Sequence, residues 1–337
     1  MLSIVLRRLI ILPIVIAVVA AIMFILVDYM PGDPILLMLG ETTASKQQIQ
    51  KLRDKYNLDA PLYKRYFTYL RGFFLELDLG ESLRTRQAVR QDIARYFPAS
   101  VELILLAVLI AYPLGIILGS LAAAKKGCFV DSAVRFLAFG ATSAPVFWIA
   151  LLLQIIFFAQ LGWLPAHGQF GARVTIPPRV TGFMILDTLI HCQWNACCDH
   201  LIHLILPTLT LALFQLAVSI RMTRAGMIEA LQQPYIATAR SKGLAEGIVI
   251  RKHALKNSLI PLITTWGTET ATLAGGLVII ETIFAWPGFG SYILHSVLFH
   301  DYYAITSSVI ILLIFVSVVN LIADLMYNLL NPQLRYE

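Results

Sequence analysis

Long apolar runs dominate this chain, and their lengths decide what they are. A helix that crosses a bilayer needs about 20 mostly apolar residues. Six stretches reach that length: Leu9–Val27, Leu103–Ala124, Ala133–Leu161, Leu201–Ile220, Ser258–Ile280 and Ala304–Leu325. The third is long enough to tilt, or to bend at Pro145. The first follows Arg7 and Arg8, as a signal peptide would. It exceeds the roughly 7–15 residues of a signal's apolar region, and no small-residue cleavage site follows Val27, so it reads as an uncleaved span. The pattern predicts an all-α integral membrane protein with six transmembrane helices.

The segment after the first span switches to amphipathic spacing. Ser45 and Gln48 fit a capping box, with Ile49, Leu52 and Tyr56 on one helical face behind them. Pro61 opens a second helix with Leu62, Tyr66, Tyr69 and Phe73 along one side. Aromatics interleaved with Arg and Lys also occur in nucleic-acid binders. Amphipathic helices on the outer membrane face account for the same pattern, and no nucleic-acid partner is expected.

Composition sharpens this picture. The 337 residues are 58% hydrophobic and only 14% charged, with a mean hydropathy of +0.75. Soluble domains run at roughly 45–50% apolar and about 25% charged, so a soluble enzyme is excluded. The net charge of +6 needs no polyanionic partner, because basic cytoplasmic loops produce the same sum. With the N-terminus inside, the inner loops hold Arg7, Arg8, Lys125, Lys126, Arg135, Arg221, Arg224, Arg240, Lys242, Arg251, Lys252, Lys256 and Arg335. The two shorter outer loops hold only Arg173 and Arg179. The long outer segment up to Pro98 is also basic, but loops of that length translocate largely regardless of charge. Both termini are therefore expected in the cytoplasm.

No Walker A loop, G-x-S-x-G, H-E-x-x-H or paired C-x-x-C occurs in the chain. No catalytic residue and no cofactor of its own is expected, and any ATP-driven work falls to partners. The most informative segment is the inner loop before the fifth apolar stretch. Pro234 at a first helical position and Gly243 just past an end bracket a helix of about nine residues, followed by Leu244. Ala237, Thr238 and Ala239 are small enough for another protein to approach the backbone closely, and Arg240 and Lys242 suit the C-terminal dipole. Physics alone leaves two readings open: a docking element for another protein, running from Pro234 and Tyr235 to Leu244, or an interfacial helix held by positive-inside charge.

The run Tyr235–Gly243, continued by Arg251–Pro261, resembles the cytoplasmic "EAA" loop of type I ABC importer permeases, and more narrowly the dipeptide/oligopeptide permease B subunits. Met30–Pro34, Leu58–Tyr63, Leu77–Ser82, Thr181–Asp187, Glu281–Gly290 and Asn331–Arg335 agree in order along nearly the whole chain. Ala237 stands where the general loop pattern has an acidic residue, which removes the basis for a salt bridge there. The resemblance implies a homologous second permease, two cytoplasmic ATPase subunits carrying ATP and magnesium, and a periplasmic substrate-binding protein delivering short peptides. It places a first span and long periplasmic loop at 1–95, the type-1 transmembrane domain at 96–328 and a cytoplasmic tail at 329–337. The same machinery serves nickel complexes, haem or glutathione. A stand-alone secondary transporter is the rival of another class, although no repeated halves are visible.

Two further patterns carry candidate chemistry. Thr265, Thr268, Glu269, Thr272 and Gly276 fall on one stripe of the fifth span. Such a stripe lines a translocation cavity, where Glu269 meets a substrate's amino terminus, or it forms an interhelical seam; Asp324 is expected to pair near the inner interface. His191, Cys192, Cys197, Cys198, His200 and His203 crowd the outer loop before the fourth span. Ligands of this softness and density suit nickel, zinc or haem iron, but their spacing matches no closed four-ligand site, so no metal is assigned; incidental loop composition, or a small disulfide from Cys192 to Cys197 or Cys198, is the other reading. Cys128 is expected as a reduced thiol on the inner side.

Overall fold

The fold is taken from a computed structural model, which describes residues 2–31, 35–36, 46–56 and 59–330. Twelve labelled helices build it: α1 (Leu2–Asp28), α2 (Lys46–Lys55), α3 (Leu62–Arg71), α4 (Val89–Ala124), α5 (Phe129–Ser143), α6 (Val146–Leu153), α7 (Met184–Ile190), α8 (Trp194–Leu231), α9 (Pro234–Ser241), α10 (Leu255–Ile283), α11 (Phe289–Leu298) and α12 (Tyr302–Leu330). Wider π-helical turns extend α3 over Gly72–Glu76 and α6 over Gln154–Gln160, and another, Val249–Ala254, leads into α10. Extended pairing among the described residues is a single bridge, Glu81 to Ala88.

The chain divides into two compact units: residues 1–100 with 287–317, and 101–286 with 318–337. In the first, Ile16, Ala20 and Phe24 of α1 share a core with Tyr69 and Phe73, with Val89 and Ile93, and with Phe289, Tyr292 and Ala304. The apolar side predicted for α3 is thus the side that packs. Ile49 and Leu52 of α2 pack against Ile35, Tyr56 and Leu83 in a smaller cluster; the capping residue Ser45 lies outside the described residues. Polar anchors fix the same unit: Tyr69 Oη pairs with Ser307 Oγ at 2.9 Å, and Ser82 Oγ donates to buried Asp301 at 2.6 Å.

The second unit shows how the membrane is crossed. Glu102, a third of the way along α4, meets His200 in the second turn of α8. Further along, an added Cβ on Gly115 would stand 2.2 Å from Ser219 Oγ, and one on Gly119 would stand 2.7 Å from Thr223 Cβ. At the far ends Ala123 and Met227 share one cluster. The contacts advance together in sequence, so α4 and α8 run parallel, and the two glycines let their backbones touch. A chain joining parallel helices must return the length of the unit. The segment doing so contains the third predicted stretch, which is not one tilted rod. It breaks before Pro145, and its two halves meet at 103°. Ala144 is extended, as a residue preceding proline prefers. Asp131 near the start of α5 holds Arg224 of α8, while Gln154 beyond α6 donates to Ile283 O at the opposite end. The bent pair is therefore a broken span rather than a re-entrant loop.

Helix α10 runs back against α8. Gly226 touches Ser258, and His200 stacks on Trp286 just beyond the other end of α10. Tyr112 of α4 lies flat on Trp266, ring centroids 4.2 Å apart, and its hydroxyl reaches Thr270 Oγ1 at 2.7 Å. Among the described residues four helices are long and apolar enough to cross by composition, and the bent pair makes five. The fifth predicted stretch lies inside α10, whose 29 residues measure about 43 Å at 1.5 Å per residue. The six predicted stretches thus all fall on helices.

Candidate functional site

Helix α9 is short because its sequence marks both ends. Pro234 occupies the first turn, and Gly243 adopts φ +74°, a left-handed conformation that ends the helix without a Cβ clash. Eight residues make no stable helix in water by themselves, so its order comes from packing. Ile236 and Ala239, three positions apart, are buried against Ala123, Met227, Ala230, Val249 and Ala254. That pair roots the helix at the end of the unit where α4 and α8 finish.

The remaining side chains point away from this root. Pro234, Tyr235, Ala237, Thr238, Arg240, Lys242, Gly243 and Leu244 are all exposed. Of the residues assigned to this loop from the sequence, only Ala239 turns inward. Thr238 Oγ1 donates to Pro234 O at 3.2 Å, satisfying an inner-turn carbonyl. Arg240 folds back over the Gly243 turn and holds Glu246 through two bonds of 3.1 and 2.5 Å. Its guanidinium keeps the Glu246 carboxyl below its usual range. Both partners are exposed and screened, so the pair sets Arg240's direction more than it adds stability. A cleft of about 270 Å³ beside α9 is lined by Glu229, Gln233, Tyr235, Asn257, Ser258 and Pro261. The result is a small convex helix with a short-side-chain crest, flanked by a polar cleft.

The polar stripe of α10 sits on a different face from its packed side. Thr268 and Thr272 are exposed, and Thr265, Glu269 and Gly276 are half-buried. A Cβ placed on Gly276 would meet nothing within 4 Å. Thr265 Oγ1 donates to Pro261 O at 3.0 Å and Thr272 Oγ1 to Glu269 O at 2.7 Å. These threonines satisfy their hydroxyls on their own helix and leave the stripe open toward whatever faces it.

The cysteine and histidine residues before the fourth stretch do not converge. All four cysteines are free thiols, with Cys197 buried and Cys128, Cys192 and Cys198 exposed, so the small disulfide is not formed. His191 Nδ1 bonds Asp187 O and His203 Nδ1 bonds Asp199 O, each at 2.8 Å. His200 is buried between Phe170 and Trp286, with Gln169 O and Glu102 Oε2 each 3.0 Å from its two nitrogens. Among the described residues no three His, Cys, Asp or Glu side chains are placed to share a metal ion. Residues close in sequence alternate around a helix, which scatters them.

Sequence reasoning passed over Glu102, Asp187, Ile236 and Glu246. The i, i+3 apolar pair at 236 and 239 was a readable signal. The partners of Glu102 and Glu246 depend on how the chain turns back, which local spacing does not encode.

These features define an all-α membrane protein with a rooted surface helix at one end. A chain of the MetNI methionine ABC transporter, crystallised in inward-facing conformations, shares the fold: the TM-score is 0.51 at 13% identity, covering 72% of this chain and 97% of that one. The model for the inner membrane component of binding-protein-dependent transport systems matches residues 115–336, and that for the N-terminal part of the membrane component matches residues 1–104. The chain belongs to this family of transport system inner membrane components, and is a permease subunit rather than an enzyme. It is 38% identical to the dipeptide transport system permease protein DppB of Alkalihalophilus pseudofirmus, over all of both chains. It is 38% identical to the di/tripeptide permease DppB of Pseudomonas aeruginosa over 93% of each, and 35% identical to the dipeptide permease DppB of Escherichia coli (strain K12) over all of both.

Proposed function

We propose that this chain is one of two permease subunits of an ATP-driven importer that moves short peptides across the bacterial inner membrane, with both termini in the cytoplasm. Helix α9 carries the reading: it is short, buried only through Ile236 and Ala239, and presents Ala237 and Thr238 where a partner's groove can close on the backbone. The partners are a homologous permease, two cytoplasmic ATPase subunits and an external binding protein. ATP and magnesium reside on the ATPases.

Mechanistically, α9 transmits motion because it is seated on the ends of α4 and α8 and on the turn leading into α10. A push from a closing ATPase reaches three crossings at once and rocks them as packed bodies. The stripe from Thr265 to Gly276 lines the path on this subunit's side. Glu269 supplies a carboxylate for a peptide's ammonium group. Peptides are favoured over nickel complexes, haem or glutathione because the relatives at 35–38% identity are named for dipeptide or di/tripeptide transport. Uptake of a labelled dipeptide by cells lacking other peptide importers tests this cargo. Uptake should require this chain and its ATPases; loss of the chain without loss of uptake would refute it.

A further inference from the structure

We propose that Arg135, Arg221 and Arg224 bind the phosphate headgroup of an anionic phospholipid of the inner leaflet. The three guanidinium groups, with Ala138, Phe139 and Ile220, line a cavity of about 330 Å³ between α5 and α8. Asp131 answers them: its buried carboxylate takes Nε and Nη2 of Arg224 at 2.6 and 2.9 Å, with Arg135 Nε at 3.7 Å. Three positive charges against that one carboxylate leave a net charge of two on the cavity wall. Arg221 Nη1 is steered by its bond to Thr142 Oγ1 at 2.9 Å. Guanidinium forks of this kind match phosphate oxygens in geometry and charge.

The apolar surroundings select an amphiphile over a free anion. Helix α5 buries Val134 and Ala138 against Ala217 and Ile220. Its other side turns Phe129, Phe136 and Phe139 outward, at 86%, 79% and 70% exposure. Phe139 both lines the cavity and opens onto that face, so a chain leaving the headgroup site continues over aromatic surface. The site lies at the end of the unit that carries Lys125, Lys126 and the root of α9. Basic pockets between spans on that side attract acidic headgroups. The leaflet assignment rests on the orientation proposed above.

The test uses the assembled transporter. Phosphatidylglycerol binding is measured by native mass spectrometry for the wild type, for Arg135→Gln, for Arg221→Gln and for the double variant. Arg224 is left in place because Asp131 depends on it, and Arg221→Lys serves as the charge-retaining control. Each arginine removed should weaken phosphatidylglycerol binding about fivefold, with phosphatidylcholine unaffected, inorganic phosphate not competing and Arg221→Lys, which keeps the charge but not the fork, losing less than Arg221→Gln. Unchanged phosphatidylglycerol binding in the double variant would overturn the site. Displacement by millimolar inorganic phosphate would make it a soluble-anion site, and loss of a subunit at unchanged lipid binding would make it a protein contact. Sidedness is read separately at exposed Cys128 in a variant whose other three cysteines are replaced by serine: an impermeant thiol reagent should reach it only from the cytoplasm. Labelling from outside would overturn the orientation and the leaflet while leaving the lipid measurement to stand.

Discussion

The root of α9 is the point at which a single side chain can separate coupling from folding. Ile236 is fully buried, and most of its buried neighbours are alanines, with Met227 and Val249. Ile236→Ala therefore removes most of the apolar anchor of an eight-residue helix. Truncations of this kind cost about 2–5 kcal/mol, and 2 kcal/mol is already a population change of about thirtyfold. A helix this short has little intrinsic stability to set against that loss. The contacts of α4, α8 and α10 at Gly115, Gly119 and Tyr112 do not involve Ile236. We therefore expect normal membrane levels with transport reduced at least tenfold and weakened ATPase retention. Ile236→Val, at about 0.5–1.5 kcal/mol, should keep most activity. The assay is peptide uptake normalised to membrane-inserted chain, with the ATPase measured in the detergent-purified complex. Wild-type uptake and ATPase retention in Ile236→Ala would refute the anchor argument.

Three other predictions test separate parts of the fold. A helical glycine replaced by alanine normally gains about 1 kcal/mol, and Gly140→Ala, which meets open space, should be neutral or stabilising. Gly115→Ala instead forces a Cβ into Ser219, costs about 1–3 kcal/mol as overpacking and should lower the thermal midpoint in detergent; an unchanged or higher midpoint would contradict the parallel contact. Burial alone would raise the pKa of Asp187, but Thr181 N–H and Oγ1–H and Gly182 N–H outweigh it and hold the carboxyl below its usual range. Its stabilising contribution is thus present above about pH 4 and disappears as pH falls through the lowered native value. Asp187→Asn should lose about 1–3 kcal/mol at neutral pH and flatten the acid limb of a melting-temperature profile; an acid limb identical to wild type would assign that limb to other groups. Glu269→Gln should change peptide uptake at normal membrane level, and unchanged uptake would remove Glu269 from the substrate path.

Apolar length and punctuation by proline and glycine were legible because both act locally. The six stretches fall on helices, and Pro234 and Gly243 mark α9 within a residue of its observed end at Ser241. The third stretch offered a tilt or a bend, and the structure bends it sharply at Pro145. Helix α8 extends from Trp194 to Leu231, past both edges of its apolar stretch, because polar residues continue a helix without belonging to hydrocarbon. The parallel pairing of α4 with α8 was not legible. It depends on a return path of the chain and on Gly115 and Gly119 meeting Ser219 and Thr223, a contact between distant segments. The Cys and His residues looked like a cluster because sequence proximity stands in poorly for helical direction: His191 and His203 bond carbonyls one turn back, while His200 turns to Glu102.

The central claim is that α9 is the surface on which the ATPase acts. Its most direct test is crosslinking from Ala237→Cys, with Cys128 replaced by serine, in inside-out membrane vesicles containing the assembled transporter. Ala237 is exposed on the crest, so a short bifunctional reagent should join it to the ATPase subunit, and the yield should change with bound nucleotide. A thiol at position 237 that reacts with lipid-phase reagents or with reagents trapped in the vesicle lumen but never with the ATPase would contradict the account.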